Sequence, residues 1–152
     1  MFARIDELGV RDVVCLGDVV GYGADPFPVA AMVMQRCKWT ILGNHDWGLF
    51  HGLDDFNPLA RDALMYARKQ LRPSLLRPLR RKVLEFLKEL PIQKEDFGFR
   101  FYHGSPRDPV MEYVMKSDGL FEPEKMQQLF QRVDGPCFVG HTHWPGVHRP
   151  DY

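Results

Sequence analysis

Trp39-Thr40-Ile41-Leu42-Gly43-Asn44-His45-Asp46 is a short apolar run that stops at a glycine and is followed at once by an amide, an imidazole and a carboxylate. The same arrangement occurs three more times. Val13-Val14-Cys15-Leu16 runs into Gly17-Asp18, Phe99-Arg100-Phe101-Tyr102 into His103-Gly104, and Cys137-Phe138-Val139 into Gly140-His141-Thr142-His143. Runs of this length and β-branched or aromatic content read as buried strands. A glycine beside the strand end lets the backbone turn sharply and lets a ligand come close. In open α/β sheets, ligands bind beyond the carboxyl ends of the strands. Four of the six histidines fall there, namely His45, His103, His141 and His143.

Helical patterns separate the runs. Pro28 suits a first helical position and predicts a helix over 29–36. Asn57-Pro58 is an N-cap followed by a first-turn proline, opening a helix to about residue 71. Over 77–90, Leu79, Val83, Phe86, Leu87 and Leu90 share one stripe before Pro91 stops the pattern. Glu122-Pro123-Glu124 suits a helix start, with Met126, Leu129, Phe130 and Val133 following at helical spacing. Residues 1–8 read as the tail of a further helix, and 105–119 as a loop. Strands alternating with helices predict an α/β fold with mostly parallel pairing. The close spacing over 92–102 allows one antiparallel pair.

Length and composition exclude several classes. At 152 residues the chain predicts one domain spanning 1–152. With 45% hydrophobic and 26% charged residues it is too apolar for a disordered chain. Twenty basic residues balance twenty acidic ones, so no global field draws nucleic acid or an anionic membrane. The longest strictly apolar run, 29–34, is far too short to span a bilayer, and the first residues lack the apolar stretch of a secretory signal. Cys15, Cys37 and Cys137 are odd in number and widely spaced, which fits no disulfide framework or zinc ribbon and predicts a reducing compartment, the cytoplasm. Cys15 and Cys137 read as core packing.

Asp18, Asn44, His45, His103, His141 and His143 form a mixed oxygen and nitrogen donor set, which suits Mn, Fe, Zn or Ni and not a thiolate site. A carboxylate such as Asp18 has two oxygens and can join two ions roughly 3.5–4 Å apart. Taken singly, Asp18 reads as a helix N-cap and each histidine as a satisfied polar group. The ordered set outweighs those readings: a four-residue match such as Gly-Asn-His-Asp arises by chance in roughly one chain of this length per thousand. His51 and His148 read as surface residues, and Trp47 as packing before substrate stacking. The basic stretch over 63–84 reads as a solvated helix face. Ser105 and Arg107 suit either a phosphate contact or plain loop chemistry.

Gly17-Asp18-Val19-Val20-Gly21-Tyr22-Gly23, Gly43-Asn44-His45-Asp46, His103-Gly104-Ser105-Pro106 and Gly140-His141-Thr142-His143 together resemble the calcineurin-like metallophosphoesterase superfamily, in particular its small prokaryotic phosphodiesterase and phosphatase branch. The resemblance runs from about residue 5 to the end. It implies a four-layer α/β/β/α sandwich and two divalent metal ions with a bridging hydroxide that hydrolyses small phosphomonoesters or phosphodiesters. By the same resemblance Asp18 bridges the ions, Asn44, His103 and His141 hold the second metal, and His143 helps hold the first. His45 steadies the transition state or protonates the leaving oxygen, and Asp46 orients His45.

The chain also departs from the family pattern. An opening strand ending in Asp-x-His is absent, and the sequence stops soon after Gly-His-Thr-His, where family members continue. The expectation is therefore an incomplete sandwich, truncated at both ends, with a weakly held first metal and impaired hydrolysis. A non-catalytic scaffold on the same fold is the alternative. Gly21-Tyr22-Gly23 stands where the family's protein phosphatases carry Asp-Arg-Gly, which points away from phosphoproteins.

Overall fold

Proline opens most of the helices in the computed structural model, which describes residues 1–73 and 76–150; residues 74–75 of the basic stretch and 151–152 of the expected domain lie outside the described residues. A proline in the first turn gives up an N–H that has no helical partner anyway. Helix α1 is Phe2–Glu7. Helix α2, Pro26–Arg36, starts two residues earlier than Pro28 predicts, after Asp25. Pro26 and Pro28 both fit the first turn, so the sequence pattern does not decide between them. Helix α4, Pro58–Gln70, is capped as expected: Asn57 Oδ1 accepts the N–H of Ala60 at 2.9 Å. Helices α5 (Pro78–Lys88) and α7 (Pro123–Phe130) bury Val83 and Leu87, and Met126 and Leu129, from their predicted stripes, whereas Leu79 at the start of the first stripe is exposed. Short α6, Asp118–Phe121, takes over the end of the expected loop.

The strands occupy the four expected runs, with one addition. Strands β4 (Phe99–Tyr102) and β5 (Cys137–Val139) match their predicted bounds. Strands β1 (Val14–Cys15) and β2 (Trp39–Thr40) are shorter than predicted. The ladder stops because the next carbonyl, Leu16 O, accepts the Nδ1–H of His103 at 2.6 Å, and the Leu42 N–H donates to Pro91 O at 2.8 Å. The His103 contact thus ties the end of β1 to the site. Strand β3, Gln93–Asp96, supplies the expected antiparallel pair with β4, while β1–β2 and β4–β5 are parallel.

Two small sheets result, β1–β2 and β3–β4–β5. Helix α2 packs on β2 of the first, and α4 and α5 pack on α2, around Ala30, Val33, Leu64, Ala67, Val83 and Leu87. A fully buried aliphatic side chain such as Leu64 or Leu87 contributes about 1.5–3 kcal/mol. Helix α7 packs Met126 and Leu129 toward Val139 of the second sheet. Trp39 joins the sheets: its ring meets Phe101 edge-on at 4.8 Å, and its Nε1–H donates to Asp96 at 2.8 Å. Helices and two small sheets thus give the α/β fold the sequence predicts. Among the described residues no helix is long and apolar enough to cross a membrane.

One further helix was not expected. The Gly43-Asn44-His45-Asp46 motif passes directly into α3, Asn44–Gly48. Asp46 stands in its first turn and accepts the Gly43 N–H at 3.1 Å, a reach-back that holds the helix start. The motif's side chains therefore project from a helix N-terminus, not from a loop.

Candidate metal centre

Parallel pairing brings the ends of β1, β2, β4 and β5 to one side. Asp18, His103 and His141 each offer one ligand atom there, and these atoms lie within 4.8 Å of one another. His103 Nε2 is 3.4 Å from Asp18 Oδ2 and 3.2 Å from His141 Nδ1. Both imidazoles are fixed from behind. His103 donates its Nδ1–H to Leu16 O, and His141 donates its Nε2–H to the Met111 carbonyl at 3.2 Å. Each ring thus turns a bare lone pair inward, which is how metal-binding histidines are held. Burial, then the neighbouring His103, push His141 down to about 4, so it is neutral near pH 7.

Asn44 completes the cluster from the first turn of α3. One terminal atom of its amide lies 3.1 Å from His103 Nε2 and 3.2 Å from His141 Nδ1 and from both Asp18 oxygens. Four acceptors converge on that single atom. An amide nitrogen there has two hydrogens and satisfies two of the four. A divalent cation satisfies them all, with the amide turned to offer its oxygen as a further donor. Mixed oxygen and imidazole donors fit Mn, Fe, Zn or Ni. Among the described residues no thiol joins the cluster, and Cys15, pushed up to about 11 by burial, directs its Sγ to Gly17 O.

The backbone is strained where the site is built. Among the described residues, Asp18 (φ +52°), His141 (+66°) and His143 (+58°) are three of the four non-glycine residues with positive φ. Such conformations persist only where the surroundings enforce them, and they concentrate at functional sites. His143 is exposed and lines the same cleft, but it stands outside the compact trio of Asp18, His103 and His141. Its left-handed neighbour at 141 turns the two histidines of the motif to different places.

Asp46 does not bond the His45 ring. Fully buried, its carboxylate accepts the N–H groups of Gly43 at 3.1 Å and of Val19 and Val20 at 3.2 Å. It latches the Asp18 loop to the start of α3. Burial, then the charge of Asp18, push Asp46 up to about 7, against those three donors. Asp46→Asn replaces one accepting oxygen by a donor that faces a buried N–H. The substitution is expected to destabilise the chain by about 1–3 kcal/mol, the penalty for a buried unpaired donor, measured by urea denaturation.

His45 sits beneath Gly21 and lines the cleft. A side chain at Gly21 would start 3.0 Å from His45 Nδ1, which itself is buried without a hydrogen-bond partner. The proton of a neutral His45 is therefore best kept on Nε2, the nitrogen free to meet a ligand. Burial holds the ring below its usual pKa. Its backbone N–H donates to Asp18 Oδ1 at 3.0 Å.

The cleft has a volume of about 470 Å³, within the roughly 300–1,000 Å³ of small-molecule sites. Its two tyrosines are not among the site residues the sequence predicts. Tyr113 stacks on His141 with ring centroids 3.6 Å apart, and Tyr22 meets His45 edge-on at 4.9 Å. Tyr22 could have been noticed between Gly21 and Gly23; nothing local marks Tyr113. Trp47 is not a cleft residue and stacks on His51 at 4.2 Å. Arg107 is engaged by Glu112 and Gln128, and Ser105 by Glu112, so neither is free for a phosphate. A larger apolar cavity of about 710 Å³ beside Phe130, Phe138 and Trp144 contains none of the predicted site residues.

Comparison with known proteins agrees with this geometry. A family model described as calcineurin-like phosphoesterase matches residues 2–145. An uncharacterized protein of Methanocaldococcus jannaschii is 31% identical over 150 residues, covering 94% of this chain and 55% of that protein. The crystal structure of a metallophosphoesterase from Sphaerobacter thermophilus superposes with a TM-score of 0.74 at 33% identity, covering 99% of this chain and 58% of that one. The chain thus spans somewhat over half the length of these relatives.

Proposed function

The chain belongs to the calcineurin-like phosphoesterase family, and from that premise we propose that it hydrolyses small phosphomonoesters or phosphodiesters with the help of divalent cations. The observation that carries this is the convergence of Asp18, His103 and His141 with the Asn44 amide, four acceptors on one amide atom. Divalent cations held by Asp18, Asn44, His103 and His141 would supply Lewis acidity toward phosphoryl oxygens and water.

The protein's own groups do the rest. Asp18 contributes the anionic oxygens, and the His45 N–H and the strained backbone at Gly17–Asp18 aim them. His103 and His141 turn lone pairs inward because Leu16 and Met111 hold their other nitrogens. His45, from the cleft wall, offers an Nε2–H to a phosphoryl or leaving-group oxygen. A scaffold would have no need for a buried imidazole whose one usable nitrogen faces a cleft, so the hydrolytic reading is preferred to the non-catalytic one.

Among the described residues a second ion has less to bind. Asp18 and His143 are the candidate donors for it, and His143 is exposed. We propose that the two positions fill unequally and that turnover is limited by the weaker one. The test is Mn²⁺-dependent release of p-nitrophenol from bis-p-nitrophenyl phosphate and p-nitrophenyl phosphate by the metal-stripped chain, with metal counted after gel filtration. About one tightly retained ion per chain and turnover rising as further Mn²⁺ is added are expected. No metal-stimulated turnover with either substrate overturns the reading.

A further inference from the structure

His141 is built into the site from a loop 30 residues away in sequence. Its Nε2–H is accepted by the carbonyl of Met111, and its face is covered by the ring of Tyr113. Between these two residues stands Glu112. Its carboxylate accepts the Ser105 hydroxyl and the Arg107 guanidinium, the latter through Nε at 3.1 and 3.2 Å and through Nη2. Ser105, fully buried, also accepts the N–H groups of Arg107 and Asp108, each at 3.0 Å. Arg107 in turn is tied to Gln128 on α7 at 2.5 Å.

These contacts form a continuous path. Ser105 follows His103-Gly104 at the end of β4, so Glu112 is anchored to the strand that carries one imidazole. Through its backbone neighbours Met111 and Tyr113 it sets the other. The contact is close: a Cβ at Gly104 would lie 2.5 Å from Asp108 O and 3.0 Å from Glu112 O. We infer that Glu112 is the positioning residue of His141, fixing through the Met111 carbonyl and the Tyr113 ring which imidazole nitrogen is turned toward the metal site. This deepens the metal-site reading and rests on it for its consequence, although the orientation itself exists without any ion. Glu112 does not face the cluster; it acts through the loop.

The ordinary alternative is that Ser105, Arg107 and Glu112 merely stabilise a loop. The two differ in what they predict for the imidazole. With ¹⁵N-labelled histidine in the metal-free full chain, two-bond ¹H–¹⁵N correlations show which ring nitrogen carries the proton, and His141→Gln assigns the signal. The unmodified chain is expected to hold His141 as the Nε2–H form. Glu112→Ala is expected to mix the two tautomers and to weaken Mn²⁺ binding, by calorimetry, roughly 10–100-fold, the usual cost of losing a group that orients a ligand. Glu112→Gln keeps an oxygen for Ser105 and is expected to restore most of both.

A folded Glu112→Ala chain with an unchanged tautomer and unchanged Mn²⁺ affinity overturns the inference, even if its melting temperature falls. Should that chain not fold, Arg107→Met decides the matter: it must shift the tautomer in the same direction, and an unshifted signal is fatal. An unmodified chain carrying the proton on Nδ1 is equally fatal. The tautomer measurement needs neither ion nor substrate, so an absence of turnover would count against the proposed function alone.

Discussion

Asp18→Asn is expected to lower Mn²⁺-stimulated hydrolysis by more than about 100-fold, beyond the 10–100-fold that loss of an outer partner costs a metal site. The reason is charge. Among the cluster's donors only Asp18 is an anion; Asn44 is neutral, and His103 and His141 each turn a lone pair inward. Asparagine keeps the oxygen that accepts the His45 N–H at 3.0 Å and keeps the side chain's volume, so the fold has little to lose. Stability and metal response should therefore separate. Without metal, the variant should unfold at the same urea concentration as the parent or at a higher one, since one anion has been removed from beside the buried Asp46. With Mn²⁺ at about 100 times its dissociation constant, the parent should gain about 2.7 kcal/mol and the variant almost nothing. Equal gains in the two chains, measured in parallel urea titrations, would contradict the assignment of Asp18.

Much of this site is legible in the sequence because its donors sit at strand ends, and strand ends are marked locally. The bounds of β4 and β5 follow from Phe99 to Tyr102 and Cys137 to Val139; His103 comes at once after the first and His141 after Gly140 in the second. What is not legible depends on contacts between distant segments. Helix α3 is five residues long, too short to display a helical period. Its start is held by Asp46, a residue whose type and place suggest chemistry. Only the folded chain shows three backbone N–H groups around that carboxylate. Tyr113 and Glu112 bear on His141 from another segment, and no periodicity or spacing connects them to Gly-His-Thr-His. The separation of His143 from the compact trio likewise follows from two left-handed backbone conformations, at 141 and 143, in residues that are not glycine.

The same dependence on close approach makes Gly43→Ala a strongly damaging substitution. The Gly43 backbone is extended, with φ −94° and ψ 167°, so any residue could adopt it; space is what forbids the change. A Cβ would lie 2.2 Å from the Asp18 backbone nitrogen and 2.3 Å from its Oδ1. From the other side, a Cβ at Gly17 would lie 2.5 Å from the Gly43 nitrogen, so the segments following β1 and β2 are in direct backbone contact. Relief requires the Asp18 loop to move off the start of α3. That motion breaks the bonds from Val19 and Val20 to Asp46 and from His45 to Asp18. Overpacking costs about 1–3 kcal/mol and each net hydrogen bond about 1 kcal/mol, so a loss of about 3 kcal/mol or more is expected. Metal binding should fail in whatever fraction stays folded, because Asp18 is the group displaced. Gly135→Ala, where a Cβ meets nothing within 4 Å, should stay within about 0.5 kcal/mol of the parent. If thermal and urea unfolding found Gly43→Ala as stable as Gly135→Ala, the two segments could not be in contact, and the convergence of donors that depends on that contact would fall with it.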